Sequence, residues 1–312
     1  MIGKEDLKLG SVERTMFITM MARARETLRE DGIISDRYAV EMYEKIKDIF
    51  PTEKGDWKSE TGVVVRTVIL DGYIRGFIEK NPEAVCINVG AGLDTGFFRV
   101  NNEKITWYDV DLPEVIEVRE KLVPHHKNKI SISCDALDPR WTSEVDAGER
   151  PVLIIMEGLL MYFEEKDVKR VIHMMQRQFP NATLVLELLS EKIVKKTDMA
   201  DAVSKTGAVF QWGVSSGRDV ENLNANLKFI EETNLADKMY LKMGIYKLLS
   251  KISDVYKRQR GECVKPAREF FITMTLTMEA VEPRNTKGEP LRKSESPFRG
   301  SMCGSWMKTA SL

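Results

Sequence analysis

Charge of one sign, close cysteine pairs and long hydrophobic runs are all missing from this chain of 312 residues. Basic side chains number 47 and acidic ones 48, for a formal net charge of -1. Acids and bases are interspersed, so no broad basic face exists to collect phosphate backbones, which argues against a nucleic-acid partner. Cys86, Cys134, Cys263 and Cys303 stand far apart. They have neither the tight spacing of a zinc site nor the density of a secreted disulfide scaffold, and such usage suits a reducing cytoplasm. No apolar stretch approaches the ~20 residues of a membrane span. The opening Met-Ile-Gly-Lys-Glu-Asp lacks the basic start and apolar run of a signal peptide. The expectation is a soluble, cytoplasmic protein without a membrane partner.

The length allows one large α/β domain with additions, big enough to bury a sizeable core. From Ser11 to Phe50, Met16, Met20, Leu28, Ile34, Tyr38, Met42, Tyr43 and Ile46 recur at mainly helical spacing, broken near Asp31-Gly32. That predicts two helices. A third spans Arg66 to Glu79 and ends at Asn81-Pro82. Then come short apolar runs at Ala84 to Val89, Thr106 to Val110, Ile130 to Cys134, Val152 to Met156 and Thr183 to Leu188. Runs of that length, joined by crossovers long enough for helices, predict a doubly wound, mostly parallel sheet covered on both faces. The helical crossover is clearest between Glu164 and Gln178. Val194 to Ser250 reads as mostly helical, interrupted at Gly213 to Gly217, and suits a lid. Asp254-Val-Tyr-Lys-Arg-Gln259 resembles the translation of a transposase sequencing adapter, so residues 1–253 are read as the domain and 254–312 as a suspect, artefactual segment. Phe270 to Glu279 nonetheless has the alternation of a strand, and the Pro, Gly, Ser, Lys and Arg content from about residue 283 predicts disorder.

Chemistry concentrates at strand ends. Val85-Cys-Ile-Asn-Val-Gly-Ala-Gly-Leu-Asp-Thr95 runs an apolar strand into Gly90-Ala-Gly92. Glycine lets the backbone approach a ligand closely at the carboxyl edge of a parallel sheet, where α/β folds bind small molecules. Thr95 stands where the full dinucleotide fingerprint has its third glycine, and Gly-x-Gly alone is as well explained by a tight turn. About twenty residues on, Trp107-Tyr-Asp-Val-Asp111 ends in acids placed to accept hydrogen bonds from both ribose hydroxyls of an adenosine. The bland alternative is that Asp109 and Asp111 cap the following helix. Ser133-Cys-Asp-Ala-Leu-Asp138 offers Asp135 to an adenine amine and the Ala136 N–H to a ring nitrogen. Ile155-Met-Glu-Gly-Leu-Leu-Met-Tyr162 brings Glu157 to the same edge. Four successive strand ends carrying glycine or an acid point to one nucleoside site.

Gly90-Ala-Gly-Leu-Asp-Thr-Gly-Phe-Phe-Arg99 resembles the signature of the leucine carboxyl methyltransferase family, which includes polyketide O-methyltransferases. The resemblance extends through Tyr108-Asp-Val-Asp-Leu-Pro113, Asp135, Glu157-Gly-Leu-Leu-Met-Tyr162 and the Arg66 helix, over roughly residues 10 to 250. It implies a class I, Rossmann-like fold with N-terminal helices and a helical lid, and S-adenosyl-L-methionine as cofactor. By that similarity Arg66 meets the cofactor's carboxylate, Gly90 lines its methionine end, Asp111 holds the ribose, Asp135 and Ala136 the adenine, and Glu157 the α-amino group. Many bacterial members carry arginine where Gly96 stands. Arg99 reads equally as a loop brace, and without the resemblance Arg66 reads as a surface charge or a partner of Asp71.

The implied reaction is O-methylation of a carboxylate or hydroxyl on a small-molecule acceptor, with Tyr162 a candidate for orienting it. A nicotinamide-dependent oxidoreductase, a non-catalytic binding protein, and a carboxyl methyltransferase acting on a protein are the rivals; Thr95 opposes the first. His125-His126 reads as a solvated loop rather than a metal pair, since adjacent histidines point apart and no third ligand is near. His173 reads as a structural helix residue, and Trp212 as either pocket wall or core.

Overall fold

The computed structural model describes residues 13–48, 57–195, 208–242 and 272–278. All of these belong to one compact unit, Met1–Glu279. Two helices, α1 (Thr15–Thr27) and α2 (Arg37–Ile46), precede a long α3 (Trp57–Lys80). There follow β1 (Val85–Val89), α4 (Gly96–Val100), β2 (Thr106–Asp111), α5 (Pro113–Leu122), β3 (Lys129–Ser133), α6 (Arg140–Glu144), β4 (Val152–Met156), α7 (Glu165–Gln178) and β5 (Thr183–Leu188). Two further strands, β6 (Leu227–Asn234) and β7 (Ile272–Met278), complete the sheet. Its order is β3-β2-β1-β4-β5-β7-β6. Strands β1 to β5 pair in parallel, and β7 runs antiparallel between β5 and β6. The fold is thus the expected doubly wound, mostly parallel α/β architecture.

The apolar strands are buried on both faces, as crossover helices demand. On one face Val85, Ile87, Val89, Ile154, Met156, Leu184 and Leu186 meet α7 through Val168, Val171, Ile172 and Met175. Trp141 of α6 joins this layer and stacks on Phe179. On the other face Cys86, Trp107, Leu153, Ile155 and Val185 meet α3 through Leu70, Ile74 and Ile78. The two N-terminal helices form their own layer, where Met16, Phe17, Met20, Ala39, Met42 and Ile46 meet Leu93 and the α5 residues Val115, Val118 and Leu122. Asp36 opens α2 by accepting the Ala39 N–H at 3.0 Å.

The five core strands fall where the apolar runs put them, to within a residue or two at each end. Two readings change. Helix α3 begins at Trp57, nine residues ahead of Arg66, through the β-branched run Val63-Val-Val65 that disfavours helix locally. Tertiary contact overrides propensity there, because Val65 and Ile69 are buried against Leu235. Within Val194–Ser250, read as mostly helical, Leu227–Asn234 is a strand, and its partner β7 lies some forty residues further on. Strand β7 falls inside Phe270–Glu279, the stretch beyond residue 253 whose alternation predicts a strand. The adapter-like residues 254–259 and the tail expected to be disordered from about 283 lie outside the described residues. No helix among the described residues is long and apolar enough to cross a membrane.

Pairing with β7 satisfies the outer edge of β5 along six residue pairs, from Thr183↔Thr277 to Leu188↔Ile272. An open, apolar strand edge is an aggregation template. Truncation after Ser253 is expected to bare that edge, giving insoluble protein or a Tm lowered by at least about 5 °C in a thermal melt. A truncated chain with unchanged Tm and solubility would support a domain boundary at residue 253.

Candidate active site

Parallel registers decide which residues meet. Val89 pairs with Val110, Asn88 with Ile155, and Met156 with Leu186. Continued one residue past Val110, Val89, Met156 and Leu186, these registers align Asp111, Gly90, Glu157 and Glu187 in a single row across the carboxyl edge. The sequence-derived residues Gly90, Asp111 and Glu157 therefore share one edge.

Strand β1 is wholly buried and turns out of the sheet at Gly90 and Gly92, whose φ values of +76° and +47° favour glycine. The turn is closed by Val110 O, which accepts the Gly90 N–H at 2.8 Å and the Ala91 N–H at 3.3 Å. A Cβ on Gly90 would meet both δ-methyls of Leu159 at 3.1 Å, so that position lies under the turn carrying Glu157. Asp111 holds the loop from the side. Its Oδ2 accepts the Gly92 N–H at 2.7 Å and its Oδ1 the Leu112 N–H at 2.8 Å. Burial pushes its carboxyl up to about 6, against the pull of those two N–H groups. Asp109 behaves differently. It is fully buried, bonded to Arg119 at 2.6 Å and to the Trp107 indole at 2.8 Å, with Lys129 at 3.4 Å. It is a core ion pair and not a helix cap.

After β3, Asp135 is exposed, and its Oδ1 accepts the Leu137 N–H at 2.8 Å. Ala136 is buried beside it, its carbonyl held by the Trp141 indole at 3.2 Å. Both lie two to three residues past Ser133, the β3 partner of Asp111.

Arg66 reaches from α3 to the row. Its Nη2 lies 2.6 Å from Glu157 and its Nη1 3.0 Å from Glu187. The second oxygen of Glu187 accepts the Gly158 N–H at 2.7 Å, at a glycine with φ +62°. Burial disfavours the guanidinium charge, but the two glutamates hold it above its ordinary value. Arg66 Nε is buried without a hydrogen-bond partner, a donor suited to a ligand carboxylate. Sequence reasoning missed Glu187. The available signal was an acid at the fifth position of the otherwise apolar Thr183-Leu-Val-Leu-Glu-Leu188.

Asp71, the alternative partner for Arg66, belongs instead to Arg99. Arg99 bonds Asp71 through two nitrogens at 2.9 and 3.0 Å, Asp94 at 3.0 Å, and Asp36 at 3.0 Å. Arg23 of α1 joins Asp36 at 2.9 Å and the Leu93 carbonyl at 2.8 Å. Arg99 therefore braces the loop, fastening α1, α2 and α3 to the segment after Gly92. Asp94 also accepts the Gly96 N–H at 2.9 Å, and a Cβ at 96 would come within 2.6 Å of it, so a larger residue there requires the Asp94 carboxylate to shift.

Comparison with known proteins gives the family. The leucine carboxyl methyltransferase model matches residues 16–176, from α1 through most of α7. The chain belongs to the leucine carboxyl methyltransferase family. The tetracenomycin polyketide synthesis O-methyltransferase TcmP of Streptomyces glaucescens is 27% identical over 238 residues, covering 76% of this chain and 88% of TcmP. The S-adenosyl-L-methionine-dependent methyltransferase dpfgK of Gibberella zeae is 23% identical, covering 74% of this chain and 84% of its own. Among solved structures, a DUF574 family protein from Streptomyces avermitilis shares the fold, with a TM-score of 0.51 at 10% identity over 83% of this chain and 97% of that one. The protein is thus an S-adenosyl-L-methionine-dependent methyltransferase, which replaces the oxidoreductase alternative.

For a methyltransferase of this family, the side chains around the row narrow the chemistry. Tyr162, in the 3-10 turn Leu160–Tyr162 after β4, is largely buried against Phe210. Burial pushes its phenol up to about 12, while a hydrogen bond with Thr15 pulls the other way. Trp212 is core: 6% exposed, it lies in the main layer with Val214 and Val220. His125 pairs with Glu120 at 3.3 Å, and His126 lies near Glu103 at 3.6 Å and against the Phe97 ring. Both precede β3, at the edge opposite the row. His173 lies within α7, exposed, with Nδ1 2.7 Å from the Lys169 carbonyl.

Arg99→Met is expected to strand three carboxylates in the loop brace, lowering unfolding free energy by about 3–5 kcal/mol in urea denaturation. A loss under about 1 kcal/mol would mean that the brace does not hold the loop.

Proposed function

We propose that this methyltransferase transfers the cofactor methyl group to a carboxylate or hydroxyl oxygen of a small, polyketide-like acceptor. The observation that carries the reading is the alignment of Asp111, Gly90 and Glu157 with Arg66 at one sheet edge, beneath glycine backbone that admits a close ligand. The similarity to TcmP, named as a polyketide O-methyltransferase, supports the acceptor class.

In this reading Arg66, through its unpartnered Nε, takes the cofactor carboxylate, and Glu157 takes the α-ammonium. Gly90 lines the methionine end. Asp111, whose two oxygens already bind the loop from below, accepts from the ribose hydroxyls, and Asp135 with the Ala136 N–H receives the adenine. The sulfonium supplies both the methyl group and the leaving group, so the chain has to orient an oxygen and exclude water. Tyr162 suits the first task. With its phenol held neutral by burial, it donates a hydrogen bond to an acceptor oxygen and does not act as a base. Among the described residues no histidine lies near this edge. A carboxylate acceptor, already ionised at neutral pH, needs no base, and this favours it over an ordinary phenol.

Asp111→Ala is expected to abolish S-adenosylmethionine binding in calorimetry, and unchanged affinity would refute the ribose assignment. Because burial raises the Asp111 carboxyl to about 6, its charged form is penalised in the ligand-free fold. The resulting contribution to stability is present at acid pH and lost as pH rises through about 6. Cofactor binding needs the charged form and runs the other way. Affinity should weaken up to about tenfold from pH 7 to pH 5 in the wild type, and stay weak and flat in Asp111→Asn. Tyr162→Phe is expected to lower kcat about tenfold while leaving cofactor affinity within twofold. Transfer of labelled methyl across aromatic acids, phenols and a carboxyl-terminal peptide decides the acceptor. Turnover of the peptide alone would exclude a small-molecule substrate.

A further inference from the structure

Glu187 has no part in the cofactor contacts proposed above, yet its position is costly. The carboxylate is fully buried on an otherwise apolar strand. Well-packed apolar side chains commonly replace buried ion pairs without loss of stability, so stability alone does not explain an acid there. Its two oxygens join two elements. One accepts from Arg66 at 3.0 Å, the other from the Gly158 N–H at 2.7 Å, fastening α3 to the turn that carries Glu157.

The charges matter as much as the bonds. Arg66 is shared between Glu157 at 2.6 Å and Glu187 at 3.0 Å. With Glu157 alone, the guanidinium would form a closed, neutral pair. Burial and the neighbouring Glu157 push the Glu187 carboxyl above its ordinary value while Arg66 opposes them; with both glutamates ionised, the cluster carries an excess negative charge. It surfaces at Glu157, whose side chain is 17% exposed, while Glu187 is 0% exposed.

We propose that Glu187 is a positioning residue that neutralises Arg66 from within the sheet, leaving the charge of Glu157 available to a cation, so that the site prefers a ligand of net positive charge. The proposal rests on the reading that Arg66 and Glu157 hold the amino-acid end of the cofactor. S-adenosylmethionine carries a sulfonium, an ammonium and a carboxylate, for a net charge of +1. S-adenosylhomocysteine, the demethylated product, has lost the sulfonium and is net neutral. A partly buried excess charge attracts the first and is nearly indifferent to the second. Glu187 thereby favours exchange of spent for fresh cofactor after turnover.

Calorimetric titration of the full chain with each ligand tests this. Glu187→Gln is expected to reduce the preference for S-adenosylmethionine over S-adenosylhomocysteine about fivefold. Glu187→Asp, which keeps the charge, should hold the ratio within twofold of wild type. Loosening of Arg66 by itself would weaken both ligands alike, so an unmoved ratio in Glu187→Gln overturns the proposal. Glu187→Met is the second charge-free variant, used if the glutamine variant does not fold. Failure of both to fold in saturating S-adenosylhomocysteine would make Glu187 a scaffold residue and also overturn the proposal. Wild-type protein that binds neither ligand would instead refute the cofactor assignment on which the proposal rests.

Discussion

The parallel registers of β2, β1, β4 and β5 are the constraint on which the site depends. Each strand runs a largely buried stretch to the same level and there presents one residue of different character: Gly90 and Glu157 just past their strands, Asp111 and Glu187 still within theirs. Because successive side chains alternate between faces, a slip of one residue in any pair would bury an acid against α7 instead of presenting it toward α3. The hydrophobic layers on both faces make such a slip prohibitive, and so the apolar core fixes the polar edge.

Two ionic clusters then divide the labour around the glycine loop. The Arg99 cluster is scaffold: burial raises Asp36, but Arg23 and Arg99 more than offset it, and the carboxyl is held below its ordinary value. All three Arg99 nitrogens are bonded there, to Asp36, Asp71, Asp94 and Thr95. The Arg66 cluster is unfinished by comparison, with a buried Nε lacking a partner and one more carboxylate than its cation requires. Saturated networks rigidify, whereas a buried donor left open is costly unless something arrives to bond it. That contrast separates the residues that shape the loop from those left open at the carboxyl edge.

The alternating or continuous apolar runs made the five core strands and α7 legible, because burial on both faces demands such runs whatever the surroundings. Gly90, Asp111 and Glu157 were legible for a related reason, as breaks in those runs at strand ends. Arg99 was ambiguous between brace and ligand contact, and only the positions of Asp36, Asp71 and Asp94 from three other elements resolve it. Strand β6 was misread as helix because its partner lies in distant sequence, and eight residues such as Leu227-Lys-Phe-Ile-Glu-Glu-Thr-Asn carry no decisive period of their own.

By itself, then, the sequence determined the layer architecture, the order of strand and crossover, and the chemistry offered at each strand end, since these follow from local hydrophobic period and residue type. Tertiary structure alone decided partnership. That Arg66 leaves Asp71 for Glu157 and Glu187, that Trp212 is core, and that β7 covers the edge of β5 all depend on contacts between residues far apart in the chain. Local periodicity carries no information about such distances, because they are set by how whole layers pack.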